Sequence, residues 1–262
     1  VPIIHHPDVR RMLLTMRARV ETARALSLMV AGMIDQAHRN PDADVRKSQL
    51  ALVELLTPVV KACSTEMAID VTSLNIQIHG GMGFIEETGA AQHYRDARIT
   101  AIYEGTTGIQ ANDLIGRKVL REQGSTMHLL IGRMNRTAAD LQQAGSPDLN
   151  AIGKRLEQAI GQLRAATEWV LATGTASMNL VLAGAVPFLH LTGTVCFGWL
   201  AGLAALAATR RLGEAGADRD FLDAKILTAQ FYCAHELPHA ESYARTVMAG
   251  DQSAMTMREA QF

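Results

Sequence analysis

The run NLVLAGAVPFLHLTGTVCFGWLAGLAALAA, residues 179–208, carries no formal charge. A helix that is apolar on every side must be covered on every side, either by the hydrocarbon of a bilayer or by the other helices of a bundle. Its length suffices to cross a membrane. Against a membrane stand Pro187, His190, Asn179, hydroxyl side chains in and near the run, many small Gly and Ala residues, and the lack of a second such run. The expectation is a helix over Met178–Thr209 buried in a bundle or at a subunit interface, with no membrane span. Gly184, Gly193, Gly198 and Gly202 would let neighbours approach closely.

The rest of the chain supplies amphipathic partners. Ile152, Leu156, Ile160, Leu163, Ala166 and Val170 form an apolar stripe, with Lys154, Arg155, Glu157 and Arg164 lying off it, so a helix over 151–171 is expected to pack on the apolar run. Leu13, Met16, Val20 and Ala23 predict a helix over about 8–37, opened by Pro7. A second should span 42–79, kinked or split at Pro58. Residues 80–92 read as a glycine-rich loop, followed by a short helix around YRDARITAI and another over 107–122. Leu222, Ile226, Ala229 and Cys233 mark the last helix, after a turn at 213–220. Nothing reads as a strand. The class is all-α, in two helical units, 1–122 and 123–262, each expected to bury its own core.

Charge narrows the partners. Twenty-five Lys plus Arg against 26 Asp plus Glu leave a net charge of -1 and no basic block, so nucleic acid is not an expected ligand. Cys63, Cys196 and Cys233 are odd in number and without a CxxC pair, which predicts free buried thiols in a reducing, cytoplasmic setting. The start, VPIIHHPDVRRMLL, shows no export signal, and a chain opening on Val1 is expected to be part of a longer one.

Two short motifs ask for chemistry. HELPH, 235–239, fits the HExxH pattern of zinc proteases, but Pro238 stands between the two histidines and no third ligand follows, so a solvated bend or break in the last helix is expected and no metal. AIYEGTTGIQ, 101–110, sets Glu104 among small and uncharged residues, which suggests a task for the carboxylate or a plain loop.

Taken with QIHGGMGF at 77–84, the stretch YRDARITAIYEGTTGIQ at 94–110 resembles the C-terminal helical domain of the acyl-CoA dehydrogenases. Gln77, Gly80, Gly81, Gly83, Phe84, Arg95, Asp96, Ile99, Ile102, Tyr103, Glu104, Gly105 and Thr106 all fall in the family's pattern. The resemblance covers 1 to about 122. The remainder looks like the extra helical domain of larger members, such as those acting on methylthioalkanoyl-CoA.

The resemblance implies a role for each residue. Glu104 would be the base that takes the α-proton of an acyl-CoA while the β-hydrogen leaves as hydride to FAD. Burial beside small side chains would raise its pKa towards neutrality. Gly105 would let backbone approach the thioester, with the amide at Glu104 one donor to the developing enolate oxygen. Thr106 would touch the flavin or its diphosphate. Gln77, Gly80 and Gly81 would face the adenosine part of FAD, in many members that of the neighbouring subunit. Gly108 replaces the Asn or Gln of many relatives, which puts one flavin hydrogen bond in doubt.

Electron-transfer flavoprotein would be the electron acceptor and the assembly a homodimer or homotetramer. The family's N-terminal helical domain and central β-domain do not occur in these residues, so a fragment inactive by itself is expected. An acyl-CoA oxidase, or a helical interaction module without turnover, remains an alternative; the even charge balance of 121–262 speaks against a DNA-binding extension.

Overall fold

The computed structural model describes residues 1–262. Every regular element in it is helical. α1 (Pro7–Arg39) opens on Pro7, whose missing N–H costs nothing in a first turn. The short link Asn40–Asp42 turns it back antiparallel against α2 (Ala43–His79), capped by Asp42, whose carboxylate accepts from the amides of Asp44 and Val45. Pro58 does not split α2. The helix continues through it to His79, with the ring buried in the core.

Residues 80–92 hold more order than a loop. They contain α3 (Gly81–Phe84), a 3-10 turn at Glu86–Thr88 and the start of α4 (Ala90–Thr100), which lies along α2. α5 (Thr107–Asp113) widens into a π-helical stretch at Leu114–Leu120, so the helix expected over 107–122 is not uniform. α6 (Ser125–Gln143) and α7 (Pro147–Gly174) form a second antiparallel pair.

The apolar run does not make one helix. It breaks at Gly184 into α8 (Met178–Ala183) and α9 (Ala185–Arg211). Pro187 is the reason: with no N–H to give Ala183 and a ring pressing on that carbonyl, it starts a helix readily but interrupts one. α9 is a core helix, with 78% of its most apolar window buried.

Its neighbours are more numerous than one amphipathic helix. α1, α2, α5, α6, α7, α10 (Arg219–His235) and α11 (His239–Met248) all pack on it, and a four-residue α12 (Ser253–Thr256) lies near the C-terminus. A Cβ at Gly193 would run into Cys63 of α2. One at Gly198 would stand 2.7 Å from Leu237, and one at Gly202 would stand 2.8 Å from Leu141 of α6. Gly184 is looser, with Val247 at 3.6 Å.

These contacts merge the two expected cores. One cluster of buried side chains runs from Ala18 and Leu26 of α1 through Leu56, Phe188 and Leu163 to Val247 of α11. The three cysteines lie in it, free and buried, and burial pushes the thiols of Cys63 and Cys233 up to about 12.

An alanine placed in a helix in place of glycine ordinarily stabilises by about 0.5–1 kcal/mol. Gly161→Ala on the open face of α7, with no atom within 4 Å of the new Cβ, is expected to do so. Gly193→Ala should instead destabilise by about 1–3 kcal/mol, because Cys63 and its helix must move. Urea unfolding of the two variants checks the pair; equal gains in both would remove the close packing of α9 on α2.

Candidate active site

Lys61 and Glu66 lie on α2, a turn and a half apart, under the segment that joins α4 to α5. The Lys61 Nζ donates to the Gly105 carbonyl at 2.7 Å and stands 5.9 Å from the Tyr103 ring centroid. Thr107 Oγ1 donates to Glu66 Oε1. Within the segment, Gln110 Nε2 donates to the Glu104 carbonyl at 3.3 Å, and Thr106 caps α5 by accepting from the Ile109 amide. Glu104 has φ 51° and Gly105 φ 95°, a pair of left-handed residues that reverses the chain. Gly105 is needed there: besides its φ, a Cβ would stand 2.9 Å from Gln110 Nε2.

The Glu104 carboxylate is exposed and makes no ion pair. The side chains around it are apolar and also exposed, among them Ile99, Ile102, Tyr103 and Ile109. They ride on the outer side of α4 and α5 while Ala97, Ala101 and Ala111 face inward, so apolar character here marks a surface rather than a core. The Glu104 N–H is used by no acceptor in the chain.

The expected site residues fall into two places. Gly105, Thr106 and Gly108 accompany Glu104; Gly108 sits in the first turn of α5 with nothing within 4 Å of a Cβ. Gln77, Gly80 and Gly81 lie at the far end of α2, where Gly80 ends the helix at φ 62° and Gly81 opens α3. Lys61 and His79 are separated by roughly 27 Å along the helix axis. In that turn Gly83 carries the steric demand, since a Cβ would strike the Ile76 carbonyl, whereas Gly80 and Gly81 face open space. Sequence reasoning missed Lys61, Glu66, Thr107 and Gln110. No local signal marks the first two, because their partners lie more than forty residues away.

HELPH is a turn, as expected, solvated at His235, Pro238 and His239 but buried at Glu236 and Leu237. α10 ends at His235, Glu236 and Leu237 both donate to the Tyr232 carbonyl, and α11 begins at His239, so the helix expected to be last is followed by another. Leu237 is buried, and Glu236 accepts from Arg19 of α1 at 2.7 Å while Arg19 also reaches Asp70 of α2 at 2.8 Å. Burial opposes the Arg19 charge, yet Glu236 and then Asp70 outweigh it and hold the guanidinium above its ordinary value.

A cleft of about 310 Å³ opens beside this pair, lined in part by Glu66, His190, Tyr232 and Tyr243. Burial lowers the His190 pKa against the pull of Glu66 and Asp70. His235 stacks on Phe231, and no group of three or more His, Cys, Asp or Glu side chains is arranged to hold a metal. Chelator treatment should therefore leave the thermal melt unchanged. A drop in melting temperature with chelator that His235→Ala abolishes would overturn this.

Two family models cover the chain: "Acyl-CoA dehydrogenase, C-terminal domain" over residues 1–120 and "Acetyl-CoA dehydrogenase C-terminal like" over 130–258. The chain is 48% identical, over 96% of its length and 42% of the relative's, to 3-methylmercaptopropionyl-CoA dehydrogenase of Ruegeria pomeroyi. It is 33% identical, over its whole length and 44% of the relative's, to a broad-specificity linear acyl-CoA dehydrogenase of Mycobacterium tuberculosis. It thus spans less than half of these curated relatives. A crystal structure of an acyl-CoA dehydrogenase complexed with FAD from Bacillus anthracis has the same fold over 97% of this chain and 44% of its own, with a TM-score of 0.75 at 19% identity.

Proposed function

The chain belongs to the acyl-CoA dehydrogenase family, and we propose that it supplies the base and one wall of the flavin site in an enzyme that desaturates acyl-CoA thioesters between Cα and Cβ. The observation that carries this reading is Glu104, an unpaired carboxylate on a loop tied down on both sides, ringed by exposed apolar side chains. A carboxylate without a cation beside it, once enclosed by an apolar partner surface, is poised to take a weakly acidic proton near neutral pH. The free Glu104 N–H fits a donor to the thioester oxygen as negative charge develops there.

The residues present fit FAD on two counts. Gly80, Gly81 and Gly108 leave open space where a side chain would stand, and Phe84, Ile99, Ile102, Tyr103 and Ile109 offer apolar area without an internal partner. Thr106 and Gly108 would lie against the flavin end and Gln77, Gly80 and Gly81 against the adenosine end. When bound, FAD supplies the hydride acceptor. The chain's own residues would orient the thioester and accept the α-proton at a Glu104 carboxylate oxygen, and their exposed apolar side chains would meet the partner surface that excludes water from it.

The separation of the two places along α2 supports the reading that one turn serves a neighbouring subunit's cofactor in a homo-oligomer. Electron-transfer flavoprotein as acceptor follows from the same family reading.

In the FAD-loaded whole enzyme, Glu104→Gln should lower turnover at least about a thousandfold and leave the flavin bound, since a positioned base contributes two to four decades. 3-Methylmercaptopropionyl-CoA and butyryl-CoA are the first substrates to test. Turnover within tenfold of wild type would sink the assignment. The 262 residues by themselves, mixed with excess FAD, should retain none after gel filtration. A one-to-one complex active on either thioester would show that they form a whole site.

A further inference from the structure

Lys61 is an ammonium on a half-buried stretch of α2 that forms no ion pair. Its hydrogen bond goes to a backbone carbonyl of the candidate active-site loop, 44 residues on. Glu66, five residues along the same helix, likewise forms no ion pair, and its hydrogen bond is the one from Thr107. Two opposite charges so close on one helix, directed to either side of the same three-residue stretch instead of to each other or to water, need a reason. Folding stability alone does not ask for it, because exposed ion pairs and solvated heads are open to both side chains at little cost.

The loop supplies the reason. Glu104 and Gly105 have left-handed backbone, and neither they nor Thr106 donates a backbone hydrogen bond. Gly105 brings the largest conformational freedom of any residue next to the one side chain whose direction matters. A rotation of its peptide plane would swing Glu104 away from the substrate carbon. Lys61 holds that plane at the Gly105 carbonyl, and Glu66 fixes the first residue of α5 through Thr107.

We propose that Lys61 and Glu66 are positioning residues for the dehydrogenation, a clamp from α2 that fixes the Gly105–Thr106 peptide beside Glu104 and so aims its carboxylate. The inference rests on Glu104 being the base. Neither residue touches the reacting atoms. Their effect is expected in the chemical step and not in binding, because an ångström of misplacement at a reacting group costs up to about a hundredfold in rate.

The test uses the FAD-loaded whole enzyme with 3-methylmercaptopropionyl-CoA or butyryl-CoA, whichever it turns over. Lys61→Met should lower kcat and the rate of flavin reduction in rapid mixing by about 10- to 100-fold, with KM and flavin content little changed. Lys61→Arg, which keeps a charged donor, should recover a large part of the loss. Thr107→Val, isosteric and without the hydroxyl, should lower kcat in the same way, and its combination with Glu66→Met should cost no more than either alone, since both break one bond.

Wild-type kcat in Lys61→Met and Thr107→Val, with Glu104→Gln inactive, would overturn the clamp and leave the base standing. Activity in Glu104→Gln would remove the base, and the clamp with it. Loss of flavin and a lowered melt in both variants, with no specific change in kcat, would show a purely structural role and also overturn the proposal.

Discussion

Everything in this fold is arranged around the need to cover α9. The helix offers water no polar face, so its stability comes from neighbours that surround it. Phe188, Leu189, Leu191, Val195 and Leu200 are buried on different sides of it, each worth about 1.5–3 kcal/mol for leaving water. No pair of helices encloses a cylinder. That need draws α1, α2 and α5 from one half of the chain and α6, α7, α10 and α11 from the other into one shell, and it explains why the buried cluster ignores the boundary near residue 122.

Such a shell leaves polar groups under it that must be answered. Trp199 Nε1 donates to Thr137 Oγ1 of α6, Tyr232 donates its hydroxyl to the Thr194 carbonyl, and Cys63 Sγ donates to the Leu189 carbonyl. Each ties α9 to a different neighbour, and each would cost about 1–3 kcal/mol if left unmade. The Arg19 link to Glu236 and Asp70 joins α1, the HELPH turn and α2 at the edge of the shell, where an unpaired charge would be expensive and a paired one fixes register. Glu236, in the stretch that looked like a metal motif, is thus spent on docking one half of the chain against the other, and Leu237 on packing against α9.

The helix pattern was legible where one face is apolar and one polar. The stripe from Ile152 to Val170 and that from Leu13 to Ala23 gave their helices to within a few residues of α7 and α1. It failed where periodicity is silent. In α9 every side is apolar, so the break at Gly184 left no phase to lose, and only Pro187 carried the signal. Of the two outcomes Pro58 left open, a kink or a split, the split does not occur, since tertiary packing holds α2 together across it. In the site, Glu104 and its glycine stood out by their setting and by the motif around them. Lys61 and Glu66 did not, because α2 presents many charges at helical spacing and only the folded chain shows which two turn toward the loop.

Two reversals in the chain have the same backbone but different causes, and the difference bears on function. Gln123 and Gly124 have φ 51° and 75°, close to Glu104 and Gly105 at 51° and 95°. At Gln123 the turn is held by the chain itself: Gln123 donates to the Leu120 carbonyl and Gly124 to that of Val119, the bonds that end a helix. A left-handed non-glycine residue costs roughly 1–3 kcal/mol and persists only where its surroundings impose it. At Glu104 no such backbone bonds exist, and the imposing groups are side chains of α2 and α5. The first reversal is closed by backbone bonds of its own segment. The second exists only once α2 is packed against α4 and α5, so the direction of the Glu104 carboxylate is a product of tertiary structure, set by the same helix whose Val59 and Cys63 support α9 from beneath.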